Sequence, residues 1–381
     1  MSTANRPLDV AVLGTRGIPA HYGGFETCAE QVSVRLAARG HKVTVYCRTD
    51  NAALETTSHE GVHLVHVPFV DNKALSTLSH TALSMVRAMR AGHDSYLVFN
   101  AGNAPIVAAA RLVGRPAVVN VDGLEWKRGK WGPIGRRYYL FCEWLVGKVA
   151  ARLIADARAI GDYYERRWLQ PTTFIPYGAP PTAEADASLL AEYGLEPGGY
   201  VLMASRIEPE NNALTLVRAW AGFETDKQLV IVGSANWDSP YEKGLHKIAD
   251  PTVRFLGGVY APGHYDALVA NCHAFVHGNE VGGTNPGLLN AMGLGASIVA
   301  IDVDFNREVA GDTALYWRND PDDLRRLLGE LEAQPERAAA LGERGRARVA
   351  ALYDWDDVTD RYEHLLHEVR ARRISRRSER D

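Results

Sequence analysis

Four glycines stand within eleven residues in the stretch GTRGIPAHYGGFET: Gly14, Gly17, Gly23 and Gly24. They follow a short apolar run, DVAVL, and precede a segment of helical period that opens near Glu26. Glycine lets a backbone come close to a ligand, and a helix N-terminus favours anionic groups, so the arrangement suits contact with a phosphate. A plain strand-to-helix turn needs fewer glycines. The spacing is not the G-x-G-x-x-G of dinucleotide-binding proteins, and the helix is delayed by about ten residues, which argues against a nicotinamide or flavin dehydrogenase.

Two further segments carry the same chemistry. In SRIEPENN, Ser205 to Asn212, Arg206 ends an apolar run and offers a fork of donors matched to a diphosphate; the competing reading is a surface ion pair with Glu208 or Glu210. In NEVGGTNPGLLNAMGLG, residues 279–295, Gly282, Gly283 and Thr284 lead into a helix whose first-turn amides suit phosphate oxygens. Asn285 before Pro286 reads as N-cap and first helical residue, a role compatible with ligand binding. Asp122, in NVDGLEW, ends a strand and either orients an acceptor or sugar or caps the next turn; Glu125, Trp126 and Lys127 follow and are placed to shape an acceptor site. Tyr22 and His21, in the first glycine loop, either do the same or pack on their own domain.

These loops need elements to hold them. Short β-rich runs alternate with helical segments: DVAVL, KVTVYC, VHLVHVP, SYLVFN, PAVVNV, RLIADA and TTFIPYG are strands, with a helix near Leu75 to Ala91 and a long one through Tyr138 and Trp144. The pattern predicts a doubly wound parallel sheet. A stretch rich in Ala, Pro, Gly and Glu between Gly178 and Gly199 reads as a linker. A second series follows: YVLMASR, QLVIVGS, VRFLGG, AFVHG and SIVAID, with helices near Tyr260 to Asn271 and Asn285 to Gly293. The expected organisation is an α/β protein of two Rossmann-like domains, 1–180 and 196–354, with a helix at about 355–375 returning to the first and ligands in a cleft between them.

Composition excludes several alternatives. At 381 residues, 46% hydrophobic and 23% charged, the chain is too long for one core and ordinary for a globular protein. A formal net charge of -4 gives no reason to expect a nucleic-acid partner. Cys28, Cys47, Cys142 and Cys272 lack metal-ligand spacing and follow no signal peptide, which fits reduced thiols in a cytosolic protein. No apolar run approaches the roughly 18 to 20 residues that span a bilayer. From Trp126 to Arg152, however, basic residues such as Lys127, Arg128, Lys130, Arg136, Arg137 and Lys148 are interleaved with Trp131, Tyr138, Tyr139, Phe141 and Trp144. That mixture suits peripheral attachment to an anionic leaflet, and equally a core helix with a solvated basic face. The ending RARRISRRSERD reads as a frayed basic tail adding to the same attraction.

Taken together, GTRGIPAHYGGFET, NVDGLEWKRGKWG, SRIEPENN, and GGTNPGLLNAMGLG followed by FNREV give the chain a family resemblance. It resembles, nearly end to end, the family 4 retaining glycosyltransferases of GT-B architecture, in the branch of bacterial polysaccharide rhamnosyltransferases. The resemblance implies a donor site on the C-terminal domain formed by Gly282, Gly283, Thr284, Asn285, Asn290 and Asn211, with Gly23 and Gly24 contributing, and an acceptor site on the N-terminal domain at Tyr22, Glu125, Trp126 and Lys127. Arg206, Asp122 and Glu280 are the implied catalytic positions. The leaving diphosphate would deprotonate the acceptor, and Arg206 with backbone amides would stabilise its charge.

No metal or cofactor is implied; Asp302-Val303-Asp304 has the spacing of a metal signature but reads as a strand end. Two departures matter. The family's paired glutamates lie eight residues apart, one toward the donor sugar and one toward the ribose, and here those positions are Gly282 and Asn290, with Glu280 the carboxylate ten residues before Asn290. The family lysine five residues after the arginine is Asn211. Loss of the ribose-side carboxylate costs a deoxyribose donor less than a ribose donor, which favours a dTDP-sugar over a UDP-sugar. The expected reaction is transfer of L-rhamnose to a glycan or lipid-linked acceptor at the inner face of the plasma membrane. The alternatives are a catalytically weak nucleotide-sugar or glycan binding subunit and a sugar-nucleotide epimerase.

Overall fold

The computed structural model describes residues 6–20, 23–50, 56–72, 75–128, 131–180, 185–235 and 239–378, so His21, Tyr22 and Lys130 lie outside the described residues. The chain divides into two compact units, one of Met1–Gly178 with Trp355–Asp381 and one of Ala179–Asp354.

In the first unit the order is β1 (Asp9–Leu13), α1 (Gly24–Ala38), β2 (Lys42–Arg48), β3 (Ser58–His59), β4 (Val62–Val67), α2 (Ser76–Ala91), β5 (Ser95–Phe99), α3 (Ala104–Leu112), β6 (Ala117–Asn120), α4 (Pro133–Val149), β7 (Arg152–Ala155), α5 (Arg158–Trp168) and β8 (Thr173–Phe174). The runs DVAVL, KVTVYCR and SYLVF are buried along nearly their whole length, as strands covered on both faces must be. The eight strands lie in the order β3-β4-β2-β1-β5-β6-β7-β8, all parallel except the short β3. Strand order reverses between β1 and β5, so the first glycine loop sits at a topological switch point.

The second unit continues with β9 (Tyr200–Ala204), α6 (Ala213–Trp220), β10 (Gln228–Val232), α7 (Pro240–Ile248), β11 (Val253–Gly257), α8 (His264–Ala270), β12 (Ala274–His277), α9 (Pro286–Gly293), β13 (Ile298–Ile301), α10 (Asp304–Ala310), β14 (Ala314–Trp317), α11 (Pro321–Ala333) and α12 (Pro335–Leu352). Its strands run in the order β11-β10-β9-β12-β13-β14, all parallel, with the reversal between β9 and β12. The loops SRIEPENN and GNEVGGTN leave the carboxyl ends of those two strands.

Four boundaries differ from the sequence expectation. Helix α1 starts at Gly24 with Gly23 as its N-cap, ahead of Glu26, because Gly23 takes φ 98 and turns the chain into the helix there. Helix α8 starts only at His264, after Gly263 in the left-handed region at φ 80. Residues 187–193, read as linker, form a 3-10 helix with Leu190 buried and Tyr193 Oη 2.9 Å from His264 Nδ1, and so belong to the second unit. The C-terminal segment is not frayed where described: α13 (Trp355–Ser378) packs in the first unit. There Asn120 Nδ2 donates to Tyr362 Oη at 2.8 Å, and Arg370 and Arg373 donate to the carbonyls of Arg6 and Asp94 at 2.9 Å each.

Candidate functional site

In the second unit, asparagines tie the switch-point loops together. Asn212 Nδ2 donates to the Gly278 carbonyl at 2.9 Å; Asn319 Nδ2 donates to Asn212 Oδ1 at 2.8 Å and to Glu280 Oε1 at 2.9 Å. Asn306 Nδ2 spans the carbonyls of Asn279 and Ile301 at 3.2 and 3.0 Å. The loops approach so closely that a Cβ on Gly278 would overlap the Asn211 carbonyl oxygen. Asn319 and Asn306 were not singled out from sequence, because asparagine signals turns generally and only the fold brings these to one edge.

Arg206 is exposed at this edge, and among the described residues no ion pair joins it to Glu208 or Glu210. Its backbone is braced: Asn211 Nδ2 donates to the Arg206 carbonyl at 2.8 Å. Asn211 is itself buried, and its side chain supports the arginine loop. Asn285 caps α9, with Oδ1 accepting from Gly287 N at 2.9 Å and Leu288 N at 3.3 Å. Pro286 has no N–H, so the first-turn amides expected to hold phosphate are already used, and Gly282 and Gly283 are the backbone donors ahead of the helix. Thr284 is buried. Asn290 Nδ2 donates to Asp266 Oδ1 on α8 at 3.1 Å. Glu280, held by Asn319, is half-buried.

In the first unit, Gly14 takes φ 89 and lies so close to β5 that a Cβ would overlap the Phe99 carbonyl. Two carboxylates of α1, one turn apart, hold the loop that follows. Glu26 Oε1 accepts from Arg16 N at 3.4 Å, and Glu30 Oε2 accepts from Ala20 N at 3.0 Å. Glu26 is only 3% exposed, and burial pushes its carboxyl up to about 7 against the pull of the Arg16 amide. The charge of Asp122 raises it further, so Glu26 and Asp122 share this edge. Glu26 stands in the glycine motif, but its burial is not visible in the sequence. Asp122 itself adopts φ 58, a strained conformation for a non-glycine residue, with its N–H donating to Asn120 Oδ1 at 2.9 Å.

The expected acceptor residues separate. Glu125 is buried and engaged in its own loop, accepting from Trp131 Nε1 at 3.2 Å and pairing with Arg128 at 2.6 Å. Trp126 is half-buried against Tyr163, and Lys127 is exposed with its ammonium 5.8 Å from the Trp126 ring. The aromatics of α4 divide between two faces. Tyr138 points inward, donating to the Gly102 carbonyl at 2.8 Å, and Tyr139 lies against Trp131. Ile134, Phe141 and Trp144 face outward at 84%, 49% and 43% exposure, in one stripe with the exposed Arg137 and Lys148 at alternate steps of three and four residues. Among the described residues no helix is long and apolar enough to cross a membrane.

Among the described residues, one trio has the spacing of metal ligands: His41, Glu363 and His367. It does not fit a metal. His41 Nδ1 accepts from Leu8 N at 2.9 Å, so in the neutral ring Nε2 carries the proton that faces Glu363 Oε1 at 2.9 Å and has no lone pair to give. The trio instead fastens α13 to the turn before β2. In the second unit Asp302 of the Asp-x-Asp stretch pairs with Arg307 at 2.5 Å, and Asp304 opens α10.

Two doubly wound units in one chain, each with a glycine-bearing loop at its switch point, define the class: a two-domain α/β protein of GT-B architecture. Comparisons with known proteins narrow this. Residues 191–348 match the family Glycosyl transferases group 1, and residues 8–180 match a domain of unknown function, DUF1972. The chain is similar to the GDP-mannose-dependent alpha-(1-6)-phosphatidylinositol monomannoside mannosyltransferase of Mycolicibacterium smegmatis, with 25% identity over 394 residues covering 93% of this chain and 97% of that one. Its fold is similar to sucrose-phosphate synthase from Thermosynechococcus elongatus (TM-score 0.81, 20% identity, 96% of this chain and 99% of that one). It is also similar to Anabaena HepE in complex with UDP and glucose (TM-score 0.76, 17% identity, 95% and 100%). The protein is a hexosyltransferase of the family 4 type that takes its sugar from a nucleotide donor.

Proposed function

We propose that the protein is a retaining transferase that works without a metal and extends a glycan or lipid-linked acceptor at a membrane surface, with L-rhamnose as the sugar. The observation that carries the acceptor reading is the outward stripe of α4. The exposed side chains of Ile134, Phe141 and Trp144, interleaved with Arg137 and Lys148, would bury their apolar area in an interface while the cations meet anionic headgroups. A lipid-linked acceptor is delivered at such a surface.

The chemistry is read from the switch-point loops. Arg206, on its asparagine-braced loop, and the Gly282 and Gly283 amides would meet a diphosphate as its negative charge grows. Asp122 would hold the acceptor hydroxyl close to the anomeric carbon. Departure of the diphosphate and attack by the acceptor on the same face retain the configuration, with the proton passing from the acceptor oxygen to the leaving phosphate. Rhamnose from a dTDP donor rests on the loop motifs; mannose from GDP is the competing reading and rests on the M. smegmatis relative, whose name specifies that donor.

Purified protein, anionic vesicles carrying a lipid-linked glycan, and the donors dTDP-rhamnose, UDP-glucose and GDP-mannose test this. Sugar should appear on the lipid in the α or β form that the donor had, only with acceptor present. Consumption of donor without acceptor would favour an epimerase, and donor binding without turnover would favour a binding subunit.

A further inference from the structure

Asn290 and Asp266 meet across two helices, and their pairing bears on how the donor is held. Helices α8 and α9 lie side by side at their amino ends. A Cβ on Gly287 would come 3.9 Å from Tyr265 Oη, and one turn further along α9 Asn290 Nδ2 reaches Asp266 Oδ1 at 3.1 Å. Both Asp266 and Asn290 are half-buried, so solvent reaches part of the pair. The Gly282–Thr284 loop enters the same helix α9 one turn before this pair. A helical turn rises about 5.4 Å, which matches the reach from a nucleotide's 5′-phosphate to its 2′ and 3′ hydroxyls.

We propose that Asp266 is a specificity-determining residue of the nucleotide-sugar site, the carboxylate that accepts hydrogen bonds from the ribose hydroxyls, and that Asn290 orients it. The inference rests on the transferase reading of the α9 loop. A carboxylate accepts from two vicinal hydroxyls at once, whereas an amide has one oxygen for both. Asn290 donates to one lone pair of Asp266 Oδ1, which fixes the plane of the carboxylate and leaves Oδ2 and the second lone pair of Oδ1 to accept from two hydroxyls. A glutamate at 290 would set two carboxylates against each other, so an amide there and a carboxylate on α8 form a compatible pair. The acceptor group missing from α9 is thus supplied by α8, and the site does not lack a carboxylate.

Isothermal titration of the full chain with UDP, GDP and 5-methyl-UDP, each beside its 2′-deoxy counterpart, tests this. Asp266→Asn should weaken every nucleoside diphosphate that the wild type binds, by about tenfold to a hundredfold for the ribose form. The 2′-deoxy form should lose at least about threefold less, because one hydroxyl is absent. Asn290→Glu alone should also bind more weakly, and the double variant Asp266→Asn with Asn290→Glu should recover to within about fivefold of wild type, which shows that the fold survives the changes. Unchanged binding by Asp266→Asn, an equal loss for ribose and deoxyribose forms, or no recovery in the double variant overturns the assignment of Asp266. A wild type that binds no nucleoside diphosphate overturns the transferase reading of the loop as well.

Discussion

Replacing Glu26 with Gln should make the first unit more stable above neutral pH, although it removes a charged residue from a glycine motif. The carboxyl is held at about 7 in the folded chain, against an ordinary value of 4.5, chiefly because burial disfavours its charge. Below pH 4.5 both folded and unfolded chains carry the proton, and Glu26 costs nothing. Between 4.5 and 7 the unfolded chain releases a proton that the native one keeps, so stability is lost as pH rises, and the loss levels off above 7. A shift of this size corresponds to about 3 kcal/mol at pH 8.

Gln keeps an acceptor for Arg16 N at the position where Glu26 Oε1 receives it at 3.4 Å, so little is forfeited in exchange. Urea unfolding of the full chain, read by hydrogen exchange of α1 peptides at pH 5, 6, 7 and 8, isolates the first unit. The stability of Glu26→Gln minus that of wild type should climb by about 2.5 kcal/mol across the series, or about 1 M in midpoint, since roughly 0.8 kcal/mol of the loss falls below pH 5. All other titrating groups cancel in that difference. Parallel pH profiles for the two proteins would refute the buried, protonated state of Glu26. The retention of so costly a carboxyl beside Asp122 would then need another account.

Arg206→Ala should reduce kcat/KM by about a hundredfold to a thousandfold with an unchanged melting temperature, since the side chain is exposed and acts on charge developing in the transition state; equal kcat/KM with every donor would remove it from the site. Phe141→Ser with Trp144→Ser should abolish sedimentation with phosphatidylglycerol vesicles while leaving urea stability within about 0.5 kcal/mol, because both rings face outward. Undiminished sedimentation would exclude α4 as the docking face. Gly14→Ala should destabilise the first unit by about 2 to 4 kcal/mol in urea titration, given φ 89 and overlap with the Phe99 carbonyl; a neutral effect would mean that β1 and β5 part more easily than their packing implies.

Much of the architecture was legible before any coordinates. Alternating runs of Val, Ile and Leu with helical segments named both sheets, because strands buried on two faces leave a local hydrophobic signal. Glycine motifs located the switch-point loops, since a chain turning from strand to helix in tight quarters has few other residues to use. Boundaries set by single backbone conformations were less visible: the late start of α8 at Gly263 and the 3-10 helix at 187–193 depend on local geometry and on packing with a distant segment.

What side chains do with one another belonged to the tertiary structure alone. Asn211 reads as a donor ligand in sequence, and the fold sets its side-chain amide on the Arg206 carbonyl. Asn290 reads as a lost carboxylate, until α8 brings Asp266 to 3.1 Å. The stripe of α4 and its inward tyrosines share one mixed sequence, and only the packing of α4 decides which rings meet solvent. Residue types and their order along the chain set the fold and the loops, because those signals act over a few neighbours. Partners, burial and exposure depend on residues far apart in sequence, so they become definite only once the chain has folded.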